Sequence, residues 1–341
     1  MHPGPGGPAT ISGVRSRAFR HEALFYSEEQ EFLAGTVPFL RAGLEAGEPA
    51  LVVVSREKAA RMKAELNGES DSVSFVDMEE LGRNPGCIIP AWRDFVAEQG
   101  GEGRPVRGIG EPIWPERTAD ELVECQRHEW LLNMAFMDAP AWTLLCPYDA
   151  GALDPAVLEG AHMTHPYVTE RGICKESHGY RDPQVAGDPF EEPLTDPPPE
   201  VEELAFTLGS LATVRAVVSR QAASAGADQR EIEDFVLAAN ELATNSVLHA
   251  GTSGTLLAWR NGDTLLCEVR DEGTLDDPLV GRQRPEPSQP SGRGLWLTNQ
   301  LCDLVQIRSR AGGTAVRIHM GFGPKSYRPS SRAPASGRES S

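Results

Sequence analysis

Residues 231 to 250, Glu-Ile-Glu-Asp-Phe-Val-Leu-Ala-Ala-Asn-Glu-Leu-Ala-Thr-Asn-Ser-Val-Leu-His-Ala, decide how this chain is read. Phe235, Ala238, Ala239, Leu242, Ala243 and Val247 recur at spacings of mostly three and four, the period of an amphipathic helix with one wall against a core. Glu241, Asn245 and His249 follow one another at i, i+4 and i+8. Each step of four turns the side chain only about 40° round a helix, so the three form one polar row bordering the buried stripe. A carboxylate, a carboxamide and an imidazole in file suit a metal ion and a phosphate chain, although any surface helix can carry those residue types.

The sequence downstream separates the two readings. Val-Arg-Asp-Glu-Gly at 269–273, Ser-Gly-Arg-Gly-Leu-Trp-Leu at 291–297 and Gly-Gly-Thr-Ala-Val at 312–316 follow in that order. Together with the helix, these blocks resemble the GHKL (Bergerat-fold) ATPases, and among them most closely the small anti-sigma-factor serine kinases of bacteria, over residues 201–322. The resemblance implies bound ATP and Mg²⁺, with Glu241 as general base and Asn245 holding the metal. A carboxamide oxygen is the hard ligand that Mg²⁺ prefers. Asp271, at a strand end, can accept a hydrogen bond from the adenine amino group, and Gly273 lets the backbone come close. Gly292, Arg293 and Gly294 open a helix whose free N–H groups suit phosphate, and Thr314 lies where the family has a hydroxyl near the adenine. His249 either points toward the phosphates or pairs with a neighbour. One departure is Leu275, where the family usually has a second glycine; it bears on how the lid hinges.

Around these blocks, Thr255–Arg260 and Thr264–Arg270 are joined by Asn261-Gly262-Asp263, a hairpin signal, and Leu304–Ser309 and Thr314–Met320 form a second pair. A short strand within 201–208, a helix over 211–223 and a cap at Asp228 complete an α/β sandwich with one exposed helical layer. Residues 274–291, polar and without periodicity, read as an ATP lid.

Upstream, short β-type runs alternate with helical ones: 23–26, a helix over 28–44, 51–54, a helix over 56–66, 73–76, a helix over 89–98, 106–109, a helix over 119–136, and 142–146. That alternation predicts a doubly wound, mostly parallel sheet covered on both faces, with no G-x-x-x-x-G-K-[ST] anywhere. The half from 18 to about 180 resembles the MEDS (methanogen/methylotroph) sensory domain, on His21 with Tyr26, Gly110-Glu111-Pro112-x-Trp114, Glu129 and Asn133, Cys146-Pro147-Tyr148-Asp149, and His165-Pro166, and the resemblance implies a P-loop-like fold without the P-loop. Ligands of such sheets sit beyond the strand C-termini. His21, Glu111, Trp114, Cys146, Tyr148 and His165 are accordingly expected to line a sensory pocket, with or without a transition metal. Residues 181–200 carry six prolines and six acids and read as an extended, semi-rigid linker. Residues 1–17 read as a disordered leader and 323–341 as a disordered tail.

Fifty acidic against 32 basic residues give a formal charge of −18, which opposes nucleic-acid binding. Six scattered cysteines without a C-x-x-C pair suit a reducing cytoplasm, and no apolar run is long enough for a membrane helix. His178 is the sole histidine between 166 and 248, in a non-helical context, which argues against a histidine autokinase. The resembled kinases phosphorylate a Ser or Thr of a STAS-type anti-anti-sigma protein, alternatively sequester a sigma factor, and are often dimers. The leading expectation is therefore a ligand- or stress-responsive anti-sigma serine/threonine kinase. An ATP-binding sequestration module without transfer is the alternative, and a redox or metal sensor acting through Cys146 or Cys174 a third reading.

Overall fold

The strand Ala-Leu-Val-Val-Val at Ala50–Val54 (β2) is buried at every residue, which a strand achieves only when both faces of its sheet are covered. In the computed structural model, which describes residues 19–251, 253–285 and 292–322, this strand lies inside a seven-stranded sheet. Its companions are β1 (Arg20–Tyr26), β3 (Val73–Asp77), β4 (Val106–Gly110), β5 (Trp142–Asp149), β6 (Tyr167–Glu170) and β7 (Ile173–Glu176), in the order β3-β2-β4-β5-β1-β6-β7. All pairs are parallel except β6 with the edge strand β7. The helices are α1 (Glu29–Glu45), α2 (Arg56–Leu66), the short α3 (Met78–Leu81), α4 (Ile88–Gln99), α5 (Ala119–Ala135) and α6 (Pro155–Thr164).

Alternation along the strands divides the core in two. Val52 and Val54 pack with Phe32, Leu40 and Met62 of α1 and α2, whereas Leu51 and Val53 pack with Trp92, Leu131 and Val157 of α4, α5 and α6. The expected doubly wound sheet is present. Beyond the predicted runs come α6 and the β6–β7 hairpin; β7, exposed at all four residues, offers no burial pattern to read.

The second sheet is antiparallel, ordered β11-β12-β10-β9-β8, from β8 (Glu202–Thr207), β9 (Ser253–Asn261), β10 (Thr264–Asp271), β11 (Leu304–Arg310) and β12 (Gly313–Gly321). One face packs on α7 (Leu211–Ser224), α8 (Gln229–His249) and α9 (Arg293–Leu301), burying Val214, Phe235, Leu242 and Leu295 against Leu256, Cys267, Val316 and Ile318. The other face joins a small apolar cluster of Leu257, Trp259 and Leu266 to polar groups that are also buried. Arg317 is 1% exposed, gives its Nε to Glu268 at 2.6 Å and reaches the backbone oxygen of Thr195 at 2.5 Å.

That contact belongs to residues 181–200, expected as a linker. The segment has no regular structure and touches both halves: Phe190 is buried, Asp188 accepts from Arg127 at 2.6 Å, and the Glu192 carbonyl accepts from Arg308 at 2.7 Å. Buried guanidinium groups of α5 and of the second sheet supply donors to this segment, Arg127 to the Asp188 carboxylate and Arg308 and Arg317 to backbone carbonyls. The expected leader, the tail and residues 286–291 of the lid lie outside the described residues.

Candidate functional site

Helix α8 begins with a reciprocal cap: Asp228 accepts from the Glu231 amide at 2.8 Å, and the Glu231 carboxylate accepts from the Asp228 amide at 3.0 Å. From there the apolar stripe fixes its rotation. Phe235, Ala238, Ala239, Leu242, Ala243 and Val247 are buried, Glu241 and Asn245 half-buried, and His249 exposed. Asn245 and His249 line a cavity of about 240 Å³ together with Asp271, Gly273, Gly292, Gly294 and Thr314, over an apolar floor of Leu242, Val269, Leu295 and Val316. Glu241 stands at its margin, and Arg293, the exposed first residue of α9, lies outside the lining.

The start of α9 comes so close to the polar row that a side chain there would displace the Glu241 carboxylate and the Asn245 carboxamide. A Cβ on Gly294 would lie 2.8 Å from the Glu241 carboxylate and 3.0 Å from the Asn245 side-chain nitrogen. Gly292, the residue before the helix, has φ +89°, a left-handed conformation that side chains disfavour. Among the described residues no side chain caps α9, and its first turn, with Gly292 and Gly294, borders the cavity, where the free N–H groups of a helix start suit a polyanion.

Asp271 ends β10 opposite Thr314 on β12. Its carboxylate accepts from the Ser246 hydroxyl at 2.5 Å and from the Gly273 amide at 2.9 Å. Ser246 was not among the residues singled out from sequence. The signal was present, because it interrupts the apolar stripe one turn after Leu242 and directly follows Asn245. Thr314 donates to the Gly273 carbonyl at 2.8 Å and meets the Ser309 hydroxyl at 2.9 Å, and Ser309 accepts from the Leu275 amide at 2.7 Å. Leu275, the residue standing in for glycine, thus begins the lid tied to β11, with its side chain against the core.

Past Leu275 the chain meets the first half of the molecule. A second cavity of about 240 Å³ lies behind the lid base, bounded by Leu275 and Val280, which also line the first cavity, and by Arg127 and Trp130 of α5. The Glu124 carboxylate, 1% exposed, receives Arg308 at 2.7 Å and stands 3.6 Å from Arg282 of the lid base. Burial pulls Arg282 down to about 10 despite that carboxylate. Arg127 donates to the Ile307 carbonyl at 2.7 Å, Asn84 to the Asn299 carbonyl at 2.9 Å, and Arg83 to Asp303 at 2.6 Å.

The expected sensory pocket separates into parts. His21 and Cys146 meet His165 and Glu129 on the α5–α6 side of the sheet, and Tyr148 packs edge-on against His165, ring centroids 5.5 Å apart. Glu111 is on the opposite side, accepting from Tyr26 and Lys58 at 2.6 Å each. Odd and even residues of β1 face opposite ways, so His21 and Tyr26 cannot serve one site. Trp114 lies elsewhere again, 3.7 Å beneath the Arg117 guanidinium. Glu129, which sequence reading quoted without a role, is the carboxylate that joins the histidines. Burial pulls His21 down to about 4, leaving a neutral imidazole at pH 7.

An antiparallel sheet backed by three helices, with a glycine-edged cavity between α8 and α9, is the arrangement of a nucleotide-binding ATPase domain. Comparison with known proteins names the class: residues 204–320 match the family model of the histidine kinase-like ATPase domain, and residues 20–166 that of MEDS, the MEthanogen/methylotroph, DcmR Sensory domain. The chain therefore joins a MEDS domain to a histidine kinase-like ATPase domain. It is also similar to a solved structure of the RsbU and RsbW domains of Rv1364c from Mycobacterium tuberculosis, at 25% identity and a TM-score of 0.27 over 35% of this chain and 32% of that one. No curated protein matches the chain. No helix among the described residues is long and apolar enough to cross a membrane.

Proposed function

We propose that the ATPase domain binds ATP with Mg²⁺ and transfers the γ-phosphoryl group to a Ser or Thr hydroxyl of a STAS-type anti-anti-sigma protein, and that this transfer governs the release of a sigma factor. The carrying observation is the meeting of Asn245, Asp271, Gly273, Gly292, Gly294 and Thr314 around one cavity, with Glu241 at its edge. The donor set fits the ligands: a carboxamide oxygen for a hard cation, an uncapped helix start for phosphates, and a carboxylate held by Ser246 for the purine edge. Bound Mg²⁺ would neutralise phosphate charge in the transfer. Glu241 would take the proton of the attacking hydroxyl as the new P–O bond forms and ADP leaves.

In this reading the MEDS domain acts on the lid. Leu275 and Val280 form the wall between the nucleotide cavity and the cavity beside α5, and Glu124 holds Arg282 two residues beyond Val280. A signal that shifts α5 changes how that wall is held, and regulation follows if the two sensor states contact the lid base differently.

Magnesium-dependent binding of a fluorescent ATP analogue, lost in Asn245→Ala, is the expected result with the full chain. Incubation with labelled ATP and a STAS-domain protein should then label the latter, and Glu241→Ala should not. Binding without labelling of any hydroxyl-bearing partner would leave ATP as a conformational ligand for sequestration; absence of binding removes both readings.

A further inference from the structure

We infer that His21, Glu129, Cys146 and His165 form a closed, tetrahedral site for a divalent transition ion of borderline softness, zinc or ferrous iron, inside the MEDS domain. All four side chains are at most 1% exposed, and one donor atom from each lies within 4.8 Å of the others. The Glu129 carboxylate is 3.0 Å from His21 Nε2, 3.5 Å from His165 Nε2 and 3.5 Å from Cys146 Sγ, and Cys146 Sγ is 3.4 Å from His21 Nε2. Bonds of about 2.0 Å to nitrogen and oxygen and about 2.3 Å to sulfur set the edges of a tetrahedron at roughly 3.3–3.7 Å. Four of the six edges, at 3.0–3.5 Å, are close to that range, and the two from His165 Nε2 to His21 and to Cys146 are at most 4.8 Å.

The proton inventory points the same way. His165 Nδ1 lies 2.9 Å from the Ala161 carbonyl, which can only accept, and 2.9 Å from the Thr164 hydroxyl, which donates to the Gly160 carbonyl at 3.2 Å, so Nδ1 carries the hydrogen and Nε2 presents a lone pair. Asn133 donates its nitrogen to the Thr164 carbonyl at 2.8 Å, which makes its oxygen the acceptor for His21 Nδ1 at 3.2 Å; His21 Nε2 is therefore bare too. Two imidazole lone pairs and a carboxylate thus converge in a sealed interior, with the thiol hydrogen as the sole proton among them. Neither His165 Nε2 nor the second Glu129 oxygen has a hydrogen-bond partner. Two lone pairs and a negative charge facing one another with one weak thiol donor among them are costly, and a cation at the centre removes the cost.

The Ala161 carbonyl and the Asn133 oxygen, accepting from the two Nδ1–H groups, orient both imidazoles as metal sites require. A dipositive ion with one thiolate and one carboxylate is a neutral unit, suited to burial, and the thiol proton leaves to solvent as the metal enters. Imidazole and thiolate exclude Mg²⁺ and Ca²⁺. Four protein ligands leave no open position, so the site holds structure or reports metal status rather than performing hydrolysis. Through Glu129 the ion would tie α5, the helix that grips the lid base, to β1, β5 and the end of α6. The inference is independent of the kinase reading.

The full chain, purified without a polyhistidine tag, is to be analysed by elemental mass spectrometry and also produced in zinc-depleted medium containing Co²⁺. Roughly stoichiometric zinc or iron is expected, together with a thiolate-to-cobalt charge-transfer band and intense tetrahedral d–d bands. Folded Cys146→Ala and Glu129→Gln proteins should hold at least tenfold less metal, whereas Cys174→Ala should keep both metal and band. Because a core variant can fail to fold, the wild-type cobalt spectrum carries the test alone. A folded wild-type chain without metal and without the cobalt band overturns the site, as does a band that survives in folded Cys146→Ala.

Discussion

Helices α5 and α8 each carry polar residues at helical spacing, and the molecule treats them in opposite ways. On α8 the row Glu241, Asn245 and His249 runs from half-buried to exposed along an open cavity. On α5 Glu124, Arg127, His128 and Glu129 are all at most 8% exposed, shared between the ATPase domain on one side and the histidine–cysteine cluster on the other. A polar row facing water is free to bind and exchange a ligand. A sealed one must be matched group for group, because each unpaired charge there is expensive. The first arrangement suits chemistry, and the second suits holding two domains in one relation.

The largest effect expected from this contrast is on the open row. Glu241→Gln should lower phosphoryl transfer by about 10²–10⁴-fold, the usual contribution of a general base, while leaving nucleotide affinity in place. A parallel fall in affinity would make Glu241 a binding group. On the sealed row, Glu124→Gln leaves Arg308 and Arg282 without their shared counter-charge and should cost about 3–5 kcal/mol in urea unfolding, the range for a broken buried pair. If the loss stays below about 1 kcal/mol, as for an exposed pair, the contact between domains is open in solution and the contrast fails.

Smaller changes sharpen it. Ser246→Ala removes the hydroxyl that holds Asp271 and should weaken nucleotide binding about tenfold, near 1.4 kcal/mol, the scale of one hydrogen bond to a charged group. Unchanged affinity would show that the carboxylate is positioned by the Gly273 amide alone. The smallest effect belongs to Asp228→Ala, which deletes the α8 cap and should lower stability by about 1 kcal/mol without touching the cavity. Thermal melts with and without nucleotide distinguish that loss from one at the site.

Local pattern carried much of this. The α8 stripe, the glycines on either side of α9 and the strand–helix alternation of the first half were legible because each depends on neighbours a few residues apart. What was misplaced depended on distant residues. Glu111 was grouped with His21 although the parity of β1 puts the two on opposite faces of the sheet. Glu129 received no role because an acidic residue in a helix reads as solvated until its surroundings are known. The outer face of the second sheet, with Arg317 and Glu268, looks like an ordinary polar strand face, and only residues from 188–195 and α5 turn it into an interior.

By itself, then, the sequence determined most of the elements and the row Glu241, Asn245 and His249, since helix and strand periods are written in local spacing. Which polar groups would be sealed, and against what, was decided by the tertiary structure. Burial of a charge depends on the chain that covers it, and that covering chain lies far away in sequence.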